Sequence, residues 1–465
     1  MKDKLMFTEG NLVSIYLKSA LPIIFVMGMS GLLTVVDAIF LGIYVGSKAL
    51  ASVTLIFPIY MLITALATLV SSGMSSLLAR SLGAGNLNAS KAIFAGAHGL
   101  ALTISAILIL VFSLFGKGIT TMLAGQDLNL VSMGLTYLQI TVLSTPLIFI
   151  LSVNSDALRN EGHLGLMAAA SLFVSIANIA FNFVFIAILN MGVAGSALGT
   201  SVAQAVALII IFVFRRSGNT SLRSTILLRH SLNRRWREIL ILGAPQSLTF
   251  IGVALGSLAI ITSLQLIGSA NYSDTVSAYG IVSRVTTFVV LPIIGLSFAM
   301  QTIVGNNYGA GVYKRSDKSL QIALLAALLY CSTLQFIMMT LSSTVAAMFV
   351  DDVKVISEVE RILPVIVTAF VLTGPLFIVS AYFQAIGDAT KATILSLAKA
   401  YVFSIPLTFL LPMYFGDNAI WYSAPISEIL LLTTTILVLF FNASRTKLKW
   451  GLFQYKLIED FDKIV

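Results

Sequence analysis

The chain has 465 residues, of which 58% are hydrophobic and only 10% charged, and its formal net charge is +9. Its mean hydropathy is +0.98, whereas soluble domains carry about 25% charged residues. A water-soluble globule is therefore excluded, and a polytopic protein of a bacterial inner (plasma) membrane is expected. The single cysteine, Cys331, rules out an internal disulfide, and three scattered histidines (His98, His163, His230) leave no metal centre in prospect. The bases sit between apolar runs and not on a basic face with interleaved aromatics, so nucleic acid is not an expected partner. No cleavable signal pattern is read at the start, so the first span is expected to stay in the mature protein.

Twelve apolar segments follow in order. The first, about 14–40, contains Pro22 and the stretch TVVDAIFLG, whose Asp37 is the only charged residue between Ala20 and Ser47. Then come 50–80, 92–115, 130–157 with Tyr137, 165–188 with Asn178 and Asn182, and 192–214 with Thr200 and Gln204. The basic stretch RRSGNTSLRSTILLRHSLNRRWRE follows, read as a cytoplasmic loop lying on anionic lipid headgroups. The second set is 238–265, 276–304 with Arg284, 319–342, 361–386 with Gln384, 392–413 with Lys399, and 419–442 with Glu428. Each is long enough to cross about 30 Å of hydrocarbon. The N-terminus, even-numbered loops and tail hold 21 Lys and Arg against 4 in the odd-numbered loops. That asymmetry predicts both termini in the cytoplasm.

The chain repeats itself. Pro22 meets Pro245, SLGAGN at Ser81–Asn86 meets NYGAG at Asn307–Gly311, Gly162 meets Gly387, and Gly192 meets Gly416. The offsets are 223, 226, 225 and 224 residues. Two six-span halves of the same orientation are expected: 1–220, a linker 221–237, 238–448, and a cytoplasmic tail 449–465. Two such lobes suit a cleft that opens to either side, as in a transporter, and also fit some channels and flippases.

These residues carry a family likeness. Pro22 with TVVDAIFLG, SLLARSLGAGN, NIAFNFVFI…MGVAGSALGT, LPIIGLSFAMQTIVGNNYGAG, FQAIGDATKA and WYSAPISEILL together resemble the multidrug and toxic compound extrusion (MATE) transporters over nearly the full length. The set is most similar to the DinF-type branch. The resemblance implies an all-α membrane fold of twelve helices in two lobes forming a V. It also implies alternating access and export of amphipathic, often cationic compounds by antiport, with H+ the expected ion and Na+ the alternative; no cofactor and no enzymatic activity are expected, and a monomer suffices for a two-lobe carrier. It proposes a polar site of Asp37, Tyr137, Asn178, Asn182 and Thr200. One departure stands out. The family often has N-I-x-L-D in the fifth span, but NIAFN places Asn182 where the acid would be, leaving one carboxylate.

Read physically, a carboxylate in hydrocarbon costs roughly 2.5–3.5 kcal/mol on insertion scales. Burial disfavours its charged form, so its protonation can bias a two-state element. The alternative is that Asp37 reaches water at the outer end of its span. Asn178 and Asn182 share one helix face, either around Asp37 or as interhelical glue. Thr200 either joins them or bonds its own i−4 carbonyl. Pro22 bends the first span or fixes a rigid kink. Glu428, paired by repeat with Gln204, is either a second coupling acid or the structural partner of Arg284. Gln384 packs a helix end or lines the cavity.

The sequence leaves three further readings. A lipid-linked oligosaccharide flippase of the same superfamily would line its cavity with several bases, and only Arg284, Lys18 and Lys399 offer themselves. A prenyltransferase-like intramembrane enzyme needs clustered acids for Mg²⁺, and the only DD pair, Asp351–Asp352, reads as a solvated loop. A passive channel needs a continuous polar pore.

Overall fold

The computed structural model describes residues 6–124, 127–218, 220–267, 272–350, 352–446 and 448–453. Asp351, half of the DD pair, and most of the tail lie outside the described residues. The described chain is almost wholly helical. Ten helices are long and apolar enough to cross a bilayer, and two bent pairs bring the number to twelve. The bent pairs are Leu128–Leu143 with Thr145–Glu161, at 47°, and Val353–Ile366 with Phe370–Ile386, at 50°. Several helices outrun their expected spans. Ser47–Gly83, Leu87–Ala124 and Tyr272–Gly309 hold 37, 38 and 38 residues. At 1.5 Å per residue they exceed the hydrocarbon by about 25 Å, so their ends stand in the interface and beyond.

What faces outward and inward is the reverse of a soluble protein. Leu110, Leu114 and Phe115 are exposed, whereas Ser71, Ser72, Ser75 and Ser76 of the second span are buried. Small residues between helices let backbones close up where no hydrophobic effect drives them together.

The repeat is present in the backbone. Gly85 and Gly311 have φ of 73° and 74°, and Gly162 and Gly387 have φ of 90° and 92°. After the fourth span, Gly162 N donates to Arg159 O and His163 N to Leu158 O. After the tenth, Gly387 N donates to Gln384 O and Asp388 N to Phe383 O. These are the same left-handed helix terminations, available cheaply only to glycine. The bends repeat too, since their second halves begin at Thr145 and Phe370.

Contacts divide the chain into two compact units. The first comprises 1–9 and 21–247, and the second comprises 10–20 and 248–465. This division differs from the one by repeat in two segments: the opening turns of the first span belong to the second unit, and those of the seventh span belong to the first. Within the second unit, Tyr16 Oη donates to Ser319 O at 2.9 Å and Arg315 Nη1 to Gly10 O at 2.9 Å.

Within the first unit the basic linker is strapped down. Arg215 Nη1 donates to Glu161 Oε2 at 2.7 Å and to Leu222 O at 2.8 Å, and Leu222 N donates to Glu161 Oε1 at 2.9 Å. Arg215 Nε donates to Asn154 Oδ1 at 2.9 Å. Trp236 Nε1 donates to Gly96 O at 2.9 Å. Two of the bases assigned to the loops, Arg159 and Arg215, are thus fully buried. Arg215 spends its donors on the protein, because a guanidinium at a helix end satisfies several acceptors at once, and Arg159 Nη2 donates to Ser75 Oγ at 2.9 Å.

Candidate functional site

Asp37 lies in the last turn of its helix, Leu12–Phe40, just ahead of a π-helical turn at Leu41–Val45. Its carboxylate is turned onto the fifth span. Asn182 Nδ2 donates to Asp37 Oδ1 at 2.5 Å. Asn178, one turn earlier on the same face, is fully buried like Asn182. Thr200 of the sixth span closes the cluster, and its hydroxyl also donates to Ser196 O at 3.2 Å.

The Asn178 amide fits this cluster in either of two orientations. In one, Nδ2 donates to Thr200 Oγ1 at 2.7 Å and Oδ1 accepts from Asn182 Nδ2 at 3.0 Å. Its oxygen then lies against Asp37 Oδ1, a contact that is a hydrogen bond only when the carboxyl holds a proton. In the other, Nδ2 donates to Asp37 Oδ1 at 2.9 Å and Oδ1 accepts from Thr200 Oγ1 at 2.7 Å. That arrangement suits the charged carboxylate. It also sets Nδ2 3.0 Å from Asn182 Nδ2, two donors face to face, so Asn182 must turn as well. Asn182 Oδ1 has no partner among the described residues.

The close approach depends on Gly199. A Cβ there would overlap Asn182 Oδ1 and sit 3.2 Å from the Asn182 nitrogen. Gly195, four residues earlier, lets Phe185 and Ile186 approach in the same way. The sequence signal was available as a G-x-x-x-G pair in GVAGSALGT.

Of the other residues named from sequence, Tyr137 and Gln204 line a cavity of about 40 Å³ with Thr200, Tyr60 and Thr64. That is room for a few waters and not for an amphipathic molecule. Gln204 Oε1 is buried without a partner among the described residues. Sequence reasoning missed Tyr60, since FPIYMLI looks like any membrane helix. Pro22 lies within the continuous first helix, directly after the point where the chain passes from the second unit to the first.

Glu428 belongs to the second unit, and its partner requires a correction. Lys399 Nζ, not Arg284, lies 2.5 Å from Glu428 Oε1. Arg284 is exposed. Thr373 Oγ1 donates to the same oxygen at 2.5 Å. Sequence offers Lys399 and Arg284 equally, because nothing local says which spans pack side by side. The π-helical turn Ala398–Ser404 is what carries Lys399 there. Gln384 packs inside this unit, where its Oε1 accepts from Gln301 Nε2 at 2.9 Å. No group of three or more His, Cys, Asp or Glu that could hold a metal occurs among the described residues.

Comparison with known proteins agrees with this architecture. The family model described as MatE matches residues 22–184 and 245–410, once in each half. The chain is 24% identical over 437 residues to the multidrug export protein MepA of Staphylococcus haemolyticus, covering 92% of this chain and 94% of that protein. It is 23% identical over 381 residues to the probable multidrug resistance protein YoeA of Bacillus subtilis, covering 80% and 81%. Among solved structures, a MATE in complex with MaL6 superposes with a TM-score of 0.86 at 22% identity, over 94% of this chain and 97% of that one. An outward-facing multidrug resistance MATE transporter gives the same TM-score of 0.86 at 22% identity, with coverage of 94% and 97%.

Proposed function

The chain belongs to the MatE family of transporters, and on that footing we propose that it is a multidrug exporter of the plasma membrane that expels amphipathic, often cationic compounds by alternating access in antiport with H+. It is not an enzyme. The 21-to-4 bias of bases supports placing both termini in the cytoplasm.

One observation carries the choice of coupling ion. A single carboxylate, Asp37, faces a pair of buried amides whose donors and acceptors suit both of its protonation states. A neutral Asp37 donates to Asn178 Oδ1. A charged Asp37 accepts from Asn178 Nδ2 once that amide, and Asn182 with it, has turned. The two protonation states therefore want different arrangements of the same amides. A ligand shifts an equilibrium only through such a differential interaction. Sodium would ask more of the site, because a desolvated cation needs several oxygen ligands and Asn182 has replaced the second acid.

The test is efflux of a fluorescent organic cation from cells or right-side-out vesicles, wild type beside Asp37→Asn, with pH and sodium gradients imposed separately. Loss of pH-driven efflux in a variant that accumulates normally is the expected result. Efflux driven by sodium alone, or unchanged pH-driven efflux in Asp37→Asn, overturns the assignment.

A further inference from the structure

The Glu428–Lys399 pair is lopsided. The Glu428 side chain is 7% exposed and that of Lys399 is 40% exposed. Both Lys399 Nζ and Thr373 Oγ1 crowd onto Oε1, while Oε2 is buried with no partner among the described residues. A structural ion pair is normally satisfied on both oxygens, since an unmet buried acceptor is costly.

Lys399 is also at an unusual depth. It is the eleventh residue of the 27-residue span Ala389–Phe415, about 15 Å from that span's first residue. An ammonium half-exposed at that depth does not face hydrocarbon, where it is expensive, so this face of the second unit is wet. The head is not snorkelling to the interface either, because Glu428 holds it. Lysine ends in a compact point charge on a four-carbon flexible stem, which can leave without moving the backbone. The helix is locally π-wound at Ala398–Ser404, a form that concentrates at functional sites.

We propose that Glu428 is a binding carboxylate for the positive group of an organic cation, and that Lys399 is a tethered cation that occupies it when no ligand is bound. The proposal rests on the reading that the chain exports cationic compounds. Lys399 keeps Glu428 from standing as a bare buried charge, and an arriving ammonium or iminium displaces it sideways into water. The ligand gains Oε1 by exchange and Oε2 outright.

The test uses the purified full-length protein in non-ionic detergent, with ethidium binding followed by fluorescence anisotropy and no gradient present. Glu428→Gln should weaken binding by about tenfold or more, as the loss of a charge-assisted contact implies. Lys399→Met should tighten it by about tenfold, since the competitor is gone while the stem is kept. In the Glu428→Gln background, Lys399→Met should change affinity less than about twofold. The proposal is overturned if the tightening persists without Glu428, which is a mere field effect. Wild-type affinity in Glu428→Gln, or no ethidium binding in any variant, overturns it as well. Should Glu428→Gln fail to accumulate, Lys399→Arg replaces it: a charge-keeping variant that tightens like Lys399→Met sinks the competition. Efflux assays on the same variants separate the two readings. Normal wild-type efflux beside a failed binding pattern removes this site alone, and pH-driven efflux that survives in Asp37→Asn removes the coupling assignment alone.

Discussion

Replacing Gly199 by alanine puts a methyl group in place of a hydrogen at the tightest point of the Asp37 site. The new Cβ would overlap Asn182 Oδ1 and lie 3.2 Å from the Asn182 nitrogen and 3.3 Å from its Cγ. The backbone contact can relax only by parting the fifth and sixth spans. The side-chain contact relaxes by turning Asn182, and the same amide then gives up its 2.5 Å bond to Asp37. A hydrogen bond to a charged group is worth about 1.5–3 kcal/mol, which is a tenfold to hundredfold bias lost between the two protonation states. Overpacking adds a stability cost of about 1–3 kcal/mol. The assay is pH-driven efflux in proteoliposomes, normalised to folded protein, beside thermal unfolding in detergent. Gly195→Ala is the control. Its Cβ meets Ile186 and Phe185 at 3.0 Å, and none of its three nearest atoms belongs to Asn182. Gly199→Ala should lose efflux by about tenfold while Gly195→Ala loses stability alone. If the two variants lower efflux equally, the Asn182 amide is not what the glycine protects.

Two other outcomes concern the frame around the site. Arg215→Met leaves Glu161 buried and unpaired, and should destabilise the protein by about 3–5 kcal/mol, with much of that recovered in the double variant Arg215→Met, Glu161→Gln; thermal unfolding of the three proteins measures it. Gly162→Ala and Gly387→Ala each place a side chain at φ near 90° and should each cost about 1–2 kcal/mol; a large difference between the two would mean that the repeat does not impose equal strain.

What was legible in the sequence was what a residue type imposes by itself. The terminations at Gly85, Gly162, Gly311 and Gly387 were readable because only glycine takes that backbone, so their spacing exposed the repeat. The amides at Asn178 and Asn182 were readable as one face because a helix dictates it. What failed was the matching of distant spans. Arg284 and Lys399 both stand in apolar runs, and only packing selects Lys399 for Glu428. The burial of Arg159 and Arg215 was equally hidden, because a base beside a span end looks the same whether it meets headgroups or turns inward to Asp156 and Glu161. The exchange of 10–20 and 238–247 between the compact units has no local signature at all.

That exchange carries a cost in time. The hydroxyl and carbonyl that Tyr16 binds belong to Ser319, which is translated 303 residues later. At about 5–20 residues per second, the opening turns of the first span wait roughly 15–60 s for their partner to be made. Throughout that interval the nascent chain holds a first helix whose opening turns lack the Ser319 contact. Slowing elongation after the linker should therefore lengthen the window in which this protein is open to proteolysis, and hastening it should shorten that window.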